Sequence, residues 1–130
     1  MVRLRQRKVD GIRVPDVVVD DPGGRARVLV VGWGSSYGPI GAAARRVRKQ
    51  GLSVAHAHLR HLNPFPANLG EVLARYDRVV VPEMNLGQLA LLLRARYLVD
   101  VVSHTKVQGL PFKAEELQGV LSDVIQGVSA

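Results

Sequence analysis

The sequence contains no cysteine. That excludes disulfides, thiolate zinc sites and any cysteine-held iron–sulfur cluster supplied by this chain. It also fits a reducing compartment. No apolar run approaches the roughly 20 residues needed to cross a bilayer. The first residues, MVRLRQRKVDGIRV, are basic but lack the apolar core of a signal peptide. A cytoplasmic location without a membrane partner is therefore predicted. Aromatic residues make up only 5% of the chain, and none is interleaved with the cations of positions 1–13.

What is present suits one compact domain. The chain has 130 residues, 47% hydrophobic and 22% charged. A chain of this length can bury roughly two-thirds of its unfolded surface, so it needs no covalent staples. Net charge is +7 but unevenly spread. Arg3, Arg5, Arg7, Lys8 and Arg13 stand against Asp10 alone, and beyond them 13 bases meet 10 acids. A basic arm can bind nucleic acid or another acidic surface. The body carries no nucleic-acid motif, so a solvated tail, or a segment ordered against a larger protein, explains the arm better.

Strand and helix signals alternate. Pro15, Pro22, Gly23 and Gly24 flank VVVDD and mark an extended or loop-rich lead-in over residues 1–26. Arg27–Val31 reads as a strand buried on both faces. Ile40–Gln50 reads as an amphipathic helix with cations in its last turns and Gly51 as its stop. Leu52–Arg60 is a second strand with His56 and His58 on one face. Asn63-Pro64-Phe65-Pro66 is a rigid connection, and Asn68 an N-cap for a short helix over Leu69–Tyr76. Arg78–Pro82 is a third strand and Leu86–Tyr97 a leucine-rich helix. Its apolar residues lie nearly all round, which predicts burial against more than one partner. Val99–Ser103 is a short fourth strand and Lys113–Ile125 a final helix. This order predicts a three-layer α/β/α domain over residues 27–130, with a mainly parallel sheet of four to five strands.

Three places could carry chemistry. Gly32, Gly34 and Gly38 open a loop with Ser35 and Ser36 between a strand and a helix, a setting that can cradle a phosphate. Trp33 crowds the loop. Arg60-His61 stand where a dinucleotide site wants an acid, and no Gly-Lys-Ser/Thr follows. A tight strand-to-helix turn is the plainer reading, leaving Gly32, Gly34, Ser35 and Ser36 as weak anion candidates. His56 and His58 could share a metal only if His61 or His104 approached in space, and no metal site is predicted. Glu83, Asn85 and Gln88 follow the third strand in PEMNLGQ, at the carboxyl edge where functional loops gather. That run reads as a contact loop or as a helix start capped by Asn85. Nothing in the sequence resembles an activated nucleophile, and no catalytic residue is assigned.

The runs VGWGSSYGPIGAA, HLRHLNPFPANLGEVL and VVVPEMNLGQLALLLRARYLVDVVSHTKVQGLPFK together resemble the C-terminal part of the α subunit of 2-oxoglutarate (2-oxoacid):ferredoxin oxidoreductases. LRQRKVDGIRVPDVVVDDP is similar to the segment that precedes it. The resemblance implies a transketolase-C-like domain. It also implies a parent enzyme that decarboxylates a 2-oxoacid on thiamine diphosphate with magnesium. That enzyme passes electrons through an iron–sulfur cluster to ferredoxin and makes an acyl-CoA. The cofactors are expected on other domains and on the β subunit, with none bound by this chain. The chain is then a C-terminal fragment or separately encoded module whose task is assembly. Glu83, Asn85, Gln88, Asn63 and Phe65 are its interface candidates, and the rest of the α subunit and the β subunit its partners. Two other readings are a stand-alone phosphate- or nucleotide-binding module and a nucleic-acid binder working through its arm.

Overall fold

A computed structural model describes residues 15–34, 37–60, 65–84, 88–99, 101–106 and 112–129. Among these residues five strands form one sheet: β1 (Val19–Asp20), β2 (Val28–Trp33), β3 (Ala55–Leu59), β4 (Arg78–Met84) and β5 (Val101–Lys106). Among the described residues four helices accompany them: α1 (Tyr37–Lys49), α2 (Leu69–Ala74), α3 (Gln88–Tyr97) and α4 (Ala114–Ser129). The sheet order is β1-β3-β2-β4-β5. β1 runs antiparallel to β3, and the other neighbours are parallel.

The apolar runs split by residue parity, because successive strand side chains point to opposite faces. Leu29, Val31, Val79 and Val81 face Leu69, Val72 and Leu73 of α2 and Leu89, Ala90 and Leu93 of α3. Val28, Val30 and Val80 face Ile40, Ala43, Ala44 and Val47 of α1 and Leu117, Leu121 and Ile125 of α4. Those helix positions recur at three- and four-residue steps, which gathers them on one face. The three-layer α/β/α architecture follows from these two cores.

Chain order decides which helix covers which face. From β2 the chain steps to β3 through α1, then crosses back over β2 to β4 through α2. Steps in opposite directions put α1 and α2 on opposite faces, as right-handed crossovers require. Gly51 ends α1 as expected, at φ 88, and the N–H of Leu52 donates to Val47 O at 3.3 Å.

Two local expectations need correction. The helix bounds differ: α1 begins at Tyr37, α2 ends at Ala74 and α4 runs on to Ser129, while β5 spans Val101–Lys106. Asn68 makes no side-chain cap bond. Its amide instead grips Val17, accepting from the backbone N–H at 2.8 Å and donating to the carbonyl at 3.0 Å. Of the two readings of the lead-in, residues 17–20 take the extended one. Val17 is buried in a core, and Val19 and Asp20 pair with Ala57 and His56 of β3. Arg48 of α1 closes this corner, donating to Asp20 Oδ2, Asp20 O and Val54 O at 2.8–3.0 Å.

Gly70 shows why α2 can lie so close to α3. A Cβ there would stand 3.2 Å from the Tyr97 ring. Tyr97 in turn meets Phe65, with ring centroids 5.9 Å apart.

Candidate functional site

Because β3, β2, β4 and β5 are parallel, their carboxyl ends share one edge. The strand order reverses between β2 and β4, and in open α/β sheets ligand sites and functional loops gather at such a reversal. The register there pairs Val28–Val30 with Arg78–Val80. Pro82, which has no N–H to give, lies past that ladder and pairs only toward β5. The strand-to-helix turns after Trp33 and after Met84 therefore flank the reversal.

The glycine loop is narrower than its sequence suggests. Gly32 is a strand residue, buried and opposite His58 in the β2–β3 register. Gly38 lies inside α1, where a Cβ would meet nothing. Gly34 alone of the three takes a left-handed conformation, φ 65, that a side chain would strain. Ser35 and Ser36 lie outside the described residues.

Glu83, expected at a contact surface, is turned inward in this chain and is 3% exposed. The N–H groups of Leu89 and Ala90 donate to its two carboxylate oxygens at 2.6 and 3.0 Å. The carboxylate thus meets two of the unpaired donors and the positive end of α3. This capping comes from a strand residue; Asn85, the expected cap, lies outside the described residues, as does Asn63. Gln88 opens α3. Phe65 is half-buried against the α2–α3 core.

The sequence expectations did not bring Tyr37 together with the two histidines. Tyr37, His56 and His58 form an aromatic cluster with centroids 5.1–6.4 Å apart. It lines a cavity of about 530 Å³ with Asp16, Asp20 and Arg60. Burial pushes His56 down to about 4, with His58 and Arg48 adding to the effect and Asp20 opposing it. Burial and Arg60 also lower His58, while contact with the Gly34 backbone acts the other way. Both rings are therefore neutral at neutral pH. His56 Nε2 and His58 Nδ1 are buried without a hydrogen-bond partner. His104 is elsewhere, held by Glu116 of α4 at 2.9 Å. Among the described residues no group of three or more histidines and carboxylates could hold a metal ion, and no helix is long and apolar enough to cross a membrane.

The architecture is thus an α/β domain of the transketolase C-terminal type, with Glu83, Asn68 and Arg48 holding helices and strands in place. Residues 26–117 match the pyruvate:ferredoxin oxidoreductase core domain II family, and the chain belongs to it. It is 65% identical over 127 residues to the 2-oxoglutarate oxidoreductase subunit KorA of Mycobacterium tuberculosis, covering 98% of this chain and 19% of that protein. It also superposes on 2-oxoglutarate:ferredoxin oxidoreductase from Magnetococcus marinus, solved with 2-oxoglutarate, coenzyme A and succinyl-CoA bound. There the TM-score is 0.84 at 28% identity, covering 96% of this chain and 23% of that one. A split-gene transketolase, an inactive β4 tetramer, shares the fold at TM-score 0.63 and 17% identity, covering 88% of this chain and 43% of that one. The chain therefore spans only a fifth or so of the 2-oxoglutarate oxidoreductase subunit, at 19%.

Proposed function

We propose that this chain is an assembly domain of the α subunit of a thiamine-diphosphate-dependent 2-oxoacid:ferredoxin oxidoreductase, with 2-oxoglutarate as the 2-oxoacid. The parent enzyme converts 2-oxoacid, coenzyme A and oxidised ferredoxin to acyl-CoA, carbon dioxide and reduced ferredoxin. The 65% identity to a 2-oxoglutarate oxidoreductase subunit over nearly the whole chain carries this reading. Its partners are the rest of the α subunit and the β subunit, in the cytoplasm.

The chain's own chemistry supports a role without catalysis. With no cysteine it offers an iron–sulfur cluster no thiolate. The acid best placed at the carboxyl edge, Glu83, is sealed into a helix cap, where it cannot reach a substrate. Thiamine diphosphate and magnesium are accordingly assigned to other domains. What this chain supplies is a rigid body whose loops at the β2–β4 reversal and whose helix surfaces meet its neighbours.

Replacing the matched 127 residues of the mycobacterial subunit with this chain tests the reading. The chimera, made with its partner subunit, is expected to reduce a viologen dye with 2-oxoglutarate and coenzyme A. A soluble chimera that assembles yet shows no such activity would reject the assignment to 2-oxoglutarate. One that never assembles would reject the assembly role.

A further inference from the structure

The cavity beside Tyr37, His56 and His58 holds chemistry that the assembly role leaves unused. In the β2–β3 register Val30 stands beside His56 and Gly32 beside His58, on one face of the sheet. Val30 belongs to the α1–α4 core, whereas the two histidines face the cavity. Gly32 brings no side chain to that face. The volume, about 530 Å³, is that of a small-molecule site.

The inner wall is polar but uncharged. His56 is 6% exposed, and its Nε2 has no hydrogen-bond partner. Nδ1 of His58 is buried and unpartnered too. Burial and Arg60 lower the His58 pKa, and the Gly34 backbone contact alone raises it, the sign of an imidazole N–H facing a carbonyl. Since Nδ1 has no partner, that N–H is on Nε2. In the neutral ring Nδ1 is then a bare acceptor, while His56 Nε2 can donate or accept according to its tautomer. Tyr37 covers both imidazoles, with centroids 5.5 and 5.1 Å away, yet is itself 61% exposed. Its ring is free to swing outward and stack on a flat ligand that slides beneath it.

The charges lie at the rim. The charged lining residues are Asp16, Asp20 and Arg60, all exposed. Asp20 is paired with Arg48, which also bonds Val54 O. Asp16 and Arg60 remain, one charge of each sign. A simple anion would face Asp16 and leave the His58 acceptor unmet. A simple cation would face Arg60. Among the described residues no cluster could hold a metal ion.

We propose that this cavity binds a nucleoside monophosphate. The base, a flat nitrogen heterocycle, gives an N–H to His58 Nδ1 and meets His56 Nε2 beneath Tyr37. The phosphate meets Arg60, and the sugar hydroxyls face Asp16. Such binding does not depend on the assembly role.

AMP, adenosine and inorganic phosphate are titrated into the full chain at neutral pH, with calorimetry and nitrogen NMR of the imidazoles. AMP should saturate and shift His58 Nδ1 in the direction of an accepted hydrogen bond. Adenosine should bind about tenfold more weakly, and phosphate should leave the imidazole signals in place. His58→Phe keeps a ring but no acceptor, and should weaken AMP about tenfold. Arg60→Gln, at an exposed position, should keep the unfolding midpoint and bring AMP to the affinity of adenosine. Unmoved imidazole signals at millimolar AMP, in a chain shown to be folded, would overturn the site. Full AMP affinity in a folded His58→Phe variant would overturn the base pocket, as would phosphate matching AMP. Equal binding of AMP and adenosine would overturn the part given to Arg60. The same titration is run on the chimera assembled with its partner subunit. Loss of AMP binding there would mean that a neighbouring domain fills the cavity, which overturns this inference and leaves the assembly role standing. A chimera that binds AMP but never assembles would reject the assembly role alone.

Discussion

A carboxylate that is 3% exposed is stable only if its charge is met, and Glu83 meets it with the N–H groups of Leu89 and Ala90. Glu83→Gln removes the charge and turns an amide NH₂ toward backbone donors. A loss of about 2 kcal/mol is expected in urea unfolding. An unchanged midpoint would show that α3 does not need the cap. His56 makes a second prediction, with a definite sign. It is near 4 when folded against 6.5 for an ordinary histidine, so between those values the unfolded chain binds the extra proton. Stability should fall as pH drops from about 6.5 toward 4, by about 3 kcal/mol over the whole window. His58 is lowered too and adds to the same trend. His56→Leu should flatten the acid limb of a plot of unfolding free energy against pH. An equally steep limb in that variant would assign the trend to other groups.

Elements that announce themselves do so through local pattern. Val28–Val31 and Val79–Val81 are uninterrupted apolar runs, and Ile40, Ala43, Ala44 and Val47 keep helical spacing. Those strands and α1 were legible because the signal and the element occupy the same residues. β1 was not. Two residues, Val19 and Asp20, carry no periodicity, and their place is fixed by Asn68, which grips Val17 from 51 residues away, and by Arg48, which bonds Asp20 from 28 residues away. Asn68 misled for a chemical reason, since the amide that can cap a helix can equally imitate a neighbouring strand. Glu83 was missed as a cap because it reaches forward six and seven residues across a turn, beyond any local capping rule. The Asn68 grip is testable. Asn68→Ala should cost about 1–2 kcal/mol. It should also speed amide exchange at Val17, because that N–H loses its partner. Retained protection at Val17 would show that the β1–β3 pairing alone holds the strand.

At the scale of the whole molecule, the alternation of strands and helices gave away the layers, and the parallel sheet it implied gave away the edge where the loops meet, while the order of the strands came only from the structure. What remained hidden was how one helix divides its apolar residues. Leucines in Leu89–Leu93 look equivalent in sequence, yet Leu93 is fully buried between the sheet and its neighbours while Leu91 is 64% exposed. If the domain folds independently, the two should respond oppositely to truncation. Leu93→Ala opens a cavity in the α2–α3 core and should cost about 2–5 kcal/mol. Leu91→Ala should stay within about 0.5 kcal/mol in the isolated chain, because its side chain is mostly exposed. Urea unfolding at matched m-values separates the two cases. A large loss for Leu91→Ala that grows with protein concentration would mean that copies of the chain cover Leu91 in solution. A large loss independent of concentration would mean that Leu91 is packed within the chain itself. A small loss beside a large one for Leu93 fits a helix with one face in its own core and the other turned outward.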